Sequence, residues 1–226
     1  MAQTTTDAMQ FERIEAGSLV NEARRQIRRS ILAGSIRPGE RLKDSVLAEQ
    51  MGISRSPVRE ALRLLEQSGL VEKTANRSYR IPTFAAEDFE ELAALRAADE
   101  VLAIRVIVSQ RLPLDSLEAA IQEIDDAGAD PAKGAAADAA FHAAVVRLAG
   151  FPRLVERYSG LVDQIRLMLL ASEMETWGRD ARLLTNHTRL MDELRRAMDG
   201  GDMHRLIRAW EDHVFGMQPA RSVHPL

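Results

Sequence analysis

Two groups of residues in this 226-residue chain have types and spacings that could do chemistry. The first is a row of arginines. In Ser54-Arg55-Ser56-Pro57-Val58-Arg59-Glu60-Ala61-Leu62-Arg63-Leu64-Leu65, Arg55, Arg59 and Arg63 recur every fourth residue, which on a helix is one face. Val58, Ala61, Leu62 and Leu65 fall on the opposite side as an apolar stripe. A guanidinium can bond the O6 and N7 of guanine as a fork, and a helix fits the DNA major groove. The competing reading is a surface helix whose arginines are simply solvated. Ser54 or Ser56 can cap the first turn, and Pro57 sits where a missing N–H costs little.

The second group stands where apolar residues are expected. Asp138 and His142, four apart, lie beside the stripe of Phe141, Val145 and Leu148. His187 shares a stripe with Leu183, Leu190 and Leu194, and His213 shares one with Leu206, Trp210 and Met217. A single imidazole on an apolar face is ordinarily a hydrogen-bonded core residue. Three of them on three helices, with a carboxylate one turn from the first, change the balance. Each would cost a few kcal/mol if buried unpaired (order of magnitude), whereas one divalent cation satisfies all four. Nitrogen and oxygen donors suit Zn, Ni, Mn or Fe. Arg96 is a further interruption, in a stripe with Phe89, Leu92, Ala103 and Ile107. A buried guanidinium needs an anion, either Glu100 one turn on or the carboxylate of a ligand beside the metal. His204 lies off its stripe and His224 lies in the tail, so neither is counted.

These groups need elements to hold them. Residues 1–15 are polar and aperiodic and are expected to fray. Leu19, Val20, Ala23, Ile27 and Ile31 recur at helical spacing and predict a first helix over 18–32, stopped by Gly34. After the Pro38-Gly39 turn, a second helix carries Val46, Leu47 and Met51, capped by Asp44 or Ser45. Gly52 permits a sharp turn into the arginine-faced helix, which ends at Ser68-Gly69. Residues 70–73 and 78–81 then read as two strands of a hairpin around Asn76-Arg77. Three helices and a hairpin make a winged helix-turn-helix, with Arg77 at the wing tip reaching phosphate or the minor groove. Beyond the connector at 82–84, breaks at Pro113, Gly128 with Pro131, Gly150 with Pro152, Gly178 and Gly200-Gly201 divide the chain into six helices, over 86–110, 114–127, 132–149, 152–173, 179–199 and 203–217.

Charge follows the same division. The net formal charge is −4, but residues 1–82 hold fourteen Lys/Arg against ten Asp/Glu, and the remaining residues hold sixteen against twenty-four. A basic front and an acidic back suit modules with different partners. With no cysteine, a disulfide framework or thiolate metal site is excluded. No apolar run approaches the ~20 residues of a membrane span, and the N-terminus lacks a signal-peptide pattern, so no membrane partner and a cytoplasmic location are expected.

The front residues also carry a resemblance. Ile31-Leu-Ala-Gly-Ser-Ile-Arg-Pro-Gly-Glu-Arg-Leu42, Leu47-Ala-Glu-Gln-Met-Gly-Ile-Ser-Arg-Ser-Pro-Val-Arg-Glu-Ala-Leu62 and Gly69-Leu-Val-Glu72 resemble the GntR family of bacterial transcription regulators. The resemblance implies operator contacts from Arg55, Ser56, Arg59 and the wing. Two departures are visible: Asp44-Ser45 lacks the basic partner usual in the family, and Ser78 stands where a wing Gly is usual. Residues 85–217 are similar to the all-helical FCD effector domain of the FadR subfamily, through Leu95-Arg96, Asp138-Ala-Ala-Phe-His142 and His213. That similarity implies an Asp/His₃ metal site beneath a cavity for a small carboxylic acid. His187 lies one turn further from Gly201-Asp202 than the family's third ligand does, and Met191 lies nearer that place. Six helices rather than seven favour the VanR-like branch.

The resulting expectation is a mainly α protein, with a winged helix-turn-helix over 1–82 and an antiparallel bundle of about six helices over 83–226. Its expected role is that of a homodimeric, ligand-responsive regulator of palindromic double-stranded operator DNA, with a small organic acid as effector. The expected DNA contacts are Ser54, Arg55, Ser56, Arg59, Arg63 and Arg77. The expected metal ligands are Asp138, His142, His187 and His213, with Arg96 as effector anchor. The metal would be structural and ligand-anchoring, and the protein not an enzyme. A metal-sensing repressor, a DNA-tethered metallohydrolase and a bare helical dimerisation domain are the competing readings. The hydrolase lacks a general base or nucleophile constellation near these motifs.

Overall fold

The computed structural model describes residues 17–75, 78–128, 130–171 and 182–216. Nine helices and three short strands are found among them. The front unit is built from α1 (Gly17–Leu32), α2 (Asp44–Met51) and α3 (Arg55–Gln67), closed by a small sheet. α1 buries Ala23, Ile27 and Ile31, and α3 buries Val58, Ala61, Leu62 and Leu65, so two amphipathic faces meet in one core. Gly52 adopts φ 64°, the left-handed conformation that lets the chain turn sharply while its N–H closes α2 onto the carbonyls of Ala48 and Glu49.

Several local expectations change. Leu19 is half-exposed and lines a groove beside Leu42 and Tyr79 rather than entering the core. Val46 is exposed as well, because the two-turn helix α2 offers only a narrow contact face and fully buries Ala48 alone. Neither Asp44 nor Ser45 caps α2. The capping position is Lys43, and the Asp44 carboxylate turns instead toward α3. Ser54 occupies the capping position of α3 with extended backbone but makes no side-chain capping bond.

The hairpin strands are β2 (Glu72–Lys73) and β3 (Tyr79–Arg80), and a third strand, β1 (Arg41–Leu42), adds to β3. The sheet order is β1-β3-β2, all antiparallel, with Leu42 opposite Tyr79 and Glu72 opposite Arg80. Leu42, Tyr79 and Ile81 are buried against the helices, which pins the wing to the core. The hairpin tip, Asn76-Arg77, lies outside the described residues, as do 1–16, the break at Gly178 and the start of the helix expected from 179.

The back unit comprises α4 (Ala86–Gln110), α5 (Asp115–Ala127), α6 (Pro131–Leu148), α7 (Pro152–Ala171), α8 (Arg182–Met198) and α9 (Met203–Phe215). The Asp88 carboxylate accepts the Ala85 N–H at 2.6 Å and fixes the start of α4. Asp202 likewise caps α9 through the His204 N–H. α4 lies against α6, α7, α8 and α9, and the shared core runs from Phe89 and Ile104 through Phe141 and Tyr158 to Leu194 and Trp210. No described helix is long and apolar enough to cross a membrane.

α7 also reaches forward. Leu167 belongs to the front core, and Asp163 receives the Arg28 guanidinium of α1 in a fork of two 2.5 Å bonds. Gly69, at φ 71°, closes α3 so near to α7 that a Cβ there would lie 2.5 Å from the Gln164 side chain.

Candidate DNA-binding face and candidate metal centre

The outer side of the front unit is a groove of about 1000 Å³ between α1, α2, α3 and the sheet. Ser54, Arg55, Ser56, Arg59 and Arg63 all line it, as do Lys43, Ser45, Lys73 and Ser78. The arginine-faced helix therefore presents its charges to solvent while its stripe is buried, as the four-residue spacing requires. Arg77 lies outside the described residues. Each arginine already has a carboxylate partner. Asp44 accepts Arg55 at 2.8 Å and Arg59 at 2.6 Å, and Glu60 accepts Arg63 at 2.6 Å. Burial would raise the Asp44 pKa, but the bonds from Arg55 and Arg59 override it and hold the carboxyl below its ordinary range. A phosphate arriving at this face must displace carboxylates, not only water. Lys43 and Lys73 were not distinguishable in the sequence, where they belong to no periodic face.

The second group converges inside the back unit. α6 carries Asp138 and His142 on one face, α8 brings His187 and α9 brings His213. One ligand atom from each lies within 4.8 Å of all the others. His142 Nε2 is 3.2 Å from His187 Nε2 and 3.1 Å from His213 Nε2. Asp138 Oδ1 is 3.0 Å from His187 Nε2 and 3.6 Å from His142 Nε2, and no hydrogen-bond donor satisfies it. Two ligands around a cation with bonds of ~2.0–2.2 Å are separated by about 3.0 Å at right angles and about 3.4 Å at tetrahedral angles. The spacings of 3.0, 3.1 and 3.2 Å fall within that range, and the 3.6 Å pair lies just beyond it. His187 joins the cluster despite its shifted spacing, and Met191 is buried in the apolar core instead.

The surrounding bonds aim the imidazoles. His187 Nδ1 lies 2.7 Å from the Leu183 carbonyl, which can only accept, so Nδ1 carries the proton and Nε2 keeps its lone pair. His142 Nδ1 lies 2.7 Å from the Glu100 carboxylate, with the same consequence. Lone pairs and a carboxylate oxygen thus face one another across about 3 Å, and the set demands a positive centre, either a proton or a cation held by all four. Burial and the neighbouring His142 and His187 hold His213 well below its ordinary pKa, which leaves it a neutral base. Without a cation the proton sits on His142, whose pKa burial lowers but the Glu100 and Asp138 carboxylates raise. Burial pushes the Asp138 carboxyl up, but the charges of that imidazolium and of Arg96 prevail and hold it well below its ordinary range.

Arg96 is buried, as its place in an apolar stripe predicts, with its Nε on Glu100 at 2.8 Å and Nη2 3.5 Å from Asp138. Glu100 proves more than its partner. The same carboxylate accepts His142, the Trp210 indole N–H at 2.6 Å and the Tyr158 hydroxyl. Tyr158 had no motif to mark it; its only signal was an aromatic hydroxyl at an apolar helical position. His204 is exposed and takes no part.

Residues 19–81 match the family described as Bacterial regulatory proteins, gntR family, and residues 91–215 match the FCD domain. The chain is similar to the probable D-xylose utilization operon transcriptional repressor of Paenarthrobacter nicotinovorans, 27% identical over 216 residues, covering 93% of this chain and 92% of that protein. It is also similar to the HTH-type transcriptional regulator YdhC of Bacillus subtilis (strain 168), 27% identical over 179 residues, covering 76% and 78%. Among solved structures, a GntR transcriptional regulator from Rhodococcus sp. RHA1 aligns with a TM-score of 0.74 at 23% identity, covering 88% of this chain and 98% of that one. E. coli McbR/YncC aligns at 0.65 with 22% identity, covering 87% and 95%. Identities this low speak to a shared fold only.

Proposed function

The chain belongs to the GntR family of bacterial regulatory proteins, a transcription regulator with an FCD effector-binding domain behind its winged helix-turn-helix, and from that premise we propose how its two halves divide the work. Residues 1–82 bind palindromic operator DNA as one half of a cytoplasmic homodimer. Residues 83–226 hold a divalent metal ion on Asp138, His142, His187 and His213, and a small carboxylic acid binds beside it. Arg55, Arg59 and Arg63 exchange their carboxylate partners for phosphate and base edges, while Ser54, Ser56 and Arg77 position the helix and wing.

The observation that carries the effector half is the convergence of four donor atoms at metal-ligand spacing in a buried site. Charge supports the ligand class. Arg96 contributes one positive charge, Glu100 and Asp138 contribute two negative ones, and the imidazoles can be neutral. A divalent cation would leave the site with a single positive charge, complementary to one carboxylate. His213 is the half-buried member, so a solute approaches from its side. When bound, the metal supplies an electrophilic anchor for the acid. Glu100 holds the tautomer of His142, and Arg96 orients the anion. An acid with different affinity for two arrangements of the front units changes operator affinity by that difference.

The test is a thermal-shift panel of small carboxylic acids with and without a chelator, extended by D-xylose because a relative carries that name. The expected result is a fall in melting temperature on chelation and a rise with one or more acids only in the metal-loaded protein. If chelation alone switches DNA binding and no acid acts, the cation is itself the signal. Melting that ignores both would remove the proposal for the back unit.

A further inference from the structure

Five cationic side chains line the groove beside the arginine-faced helix, and two acidic ones, Asp44 and Glu60, stand among them. The two acids differ. Glu60 is an exposed neighbour of Arg63 on the same helix, a pair of the kind that water screens. Asp44 comes from the start of α2 and is only 19% exposed, while its partners Arg55 and Arg59 are 57% and 62% exposed. Both of its oxygens are engaged. Oδ1 and Oδ2 accept Arg55 Nη2 at 2.8 and 3.1 Å, and Oδ2 also accepts Arg59 Nε at 2.6 Å. The carboxylate does not cap α2, and its hydrogen bonds among the described residues go to these two arginines. One acid thus ties down two of the five cations. They stand on the first two turns of α3, the end of a recognition helix that meets base edges.

That arrangement treats two kinds of DNA differently. Moving a guanidinium from a carboxylate to a phosphate trades one anion for another and gains little. The freed carboxylate is then repelled by the phosphates around it. Both costs are the same on every sequence. On random sequence nothing offsets them, so the two arginines stay on Asp44 and the groove meets the backbone with its remaining cations. On the operator, base edges in register with the helix add bonds that a phosphate alone does not offer, and the exchange goes forward. Each phosphate that a side chain neutralises releases counterions, so salt dependence counts the arginines that have left Asp44.

We propose that Asp44 is a specificity-determining residue, which withholds Arg55 and Arg59 from random-sequence DNA and releases them on the operator; this rests on the reading of the arginine face as the one that binds DNA.

Fluorescence anisotropy of the full chain tests it, with two duplexes of equal length over a salt series. One duplex is selected from a random library on the wild-type protein, and the other is its scrambled sequence. For wild type, the log–log salt slope should be steeper on the selected duplex by about two. Asp44→Asn should raise affinity for the scrambled duplex by about tenfold or more and steepen its slope by about two, with a smaller rise on the selected duplex. The ratio between the duplexes therefore falls. Asp44→Glu, which keeps the charge, should keep the wild-type ratio, and Glu60→Gln should move the scrambled slope by no more than about one. Circular dichroism melts should match wild type, and Asp44→Ser replaces the Asn variant if that one melts early. A scrambled-duplex affinity and slope that ignore the loss of the charge overturn the proposal. So does an Asp44→Asn variant that weakens only the selected duplex, since the carboxylate would then be a support for the arginines. Either result leaves the DNA-binding face standing. An Arg59→Ala variant that binds both duplexes as wild type does overturns the face as well.

Discussion

Glu100 gathers four donors on one fully buried carboxylate: the Arg96 guanidinium, the His142 imidazole, the Trp210 indole and the Tyr158 hydroxyl. Burial alone would raise its pKa, but the charges of His142 and Arg96 pull it well below the carboxylate range, so it is a permanent anion behind the donor cluster. Such a group sets the His142 tautomer and raises its basicity toward a metal. Glu100→Gln keeps the shape and removes the charge. Isothermal titration with Zn or Ni should then show metal affinity lower by about 10- to 100-fold. Unchanged affinity would make Glu100 a packing residue only. The donor cluster itself was readable in the sequence because charge in an apolar stripe breaks a periodic pattern. Glu100 was readable only as the residue one turn after Arg96, since helical spacing reveals neighbours on the same helix and not those arriving from α7 and α9. For the same reason the sequence suggested Asp44 as a cap, whereas its carboxylate is taken by Arg55 and Arg59 from a different helix.

At the scale of elements, α7 is the piece with contacts on both sides. Its Tyr158 touches Glu100 behind the donor cluster, and Arg157 beside it pairs with Asp99 of α4. Further along the same helix, Asp163 holds Arg28 of α1, and Leu167 completes the front core. A rigid helix spanning both contacts is a physical route by which occupancy of the site can bias the front unit. Asp163→Asn leaves a group of the same shape but weakens its grip on Arg28. It should cost about 1–3 kcal/mol of stability in urea unfolding, leave metal affinity within about twofold, and blunt the effect of a bound acid on DNA affinity. Full retention of that effect would place the route elsewhere. The sequence foretold this helix from its flanking breaks and apolar period, over 152–173; it starts at Pro152 and runs to Ala171, and 172–173 lie outside the described residues. Its partners were not legible, because Asp163 is a single carboxylate without spacing to mark it. β1 was missed for a related reason: two residues are too few to show an alternation, and the strand exists only because β3 offers it an edge.

For the whole molecule, the claim is that a site in the helical half governs a DNA-binding face in the other. The division was visible early in the opposite charge of the two parts, and the family matches over 19–81 and 91–215 follow the same order along the chain. What the sequence could not supply was the contact between the parts, which depends on single residues of α1, α3 and α7 meeting across a boundary. The measurement that bears most directly on the claim is operator affinity as a function of effector. A duplex selected from a random library on the wild-type protein would be titrated by fluorescence anisotropy with the stabilising acid present or absent, using wild type, Arg59→Ala and His142→Ala. Affinity of the wild type should change by about 5- to 150-fold with the acid. Arg59→Ala should lose the duplex while still binding metal and acid, and His142→Ala should keep the duplex but lose the response. Wild-type affinity that is indifferent to the acid and to metal removal would contradict the account.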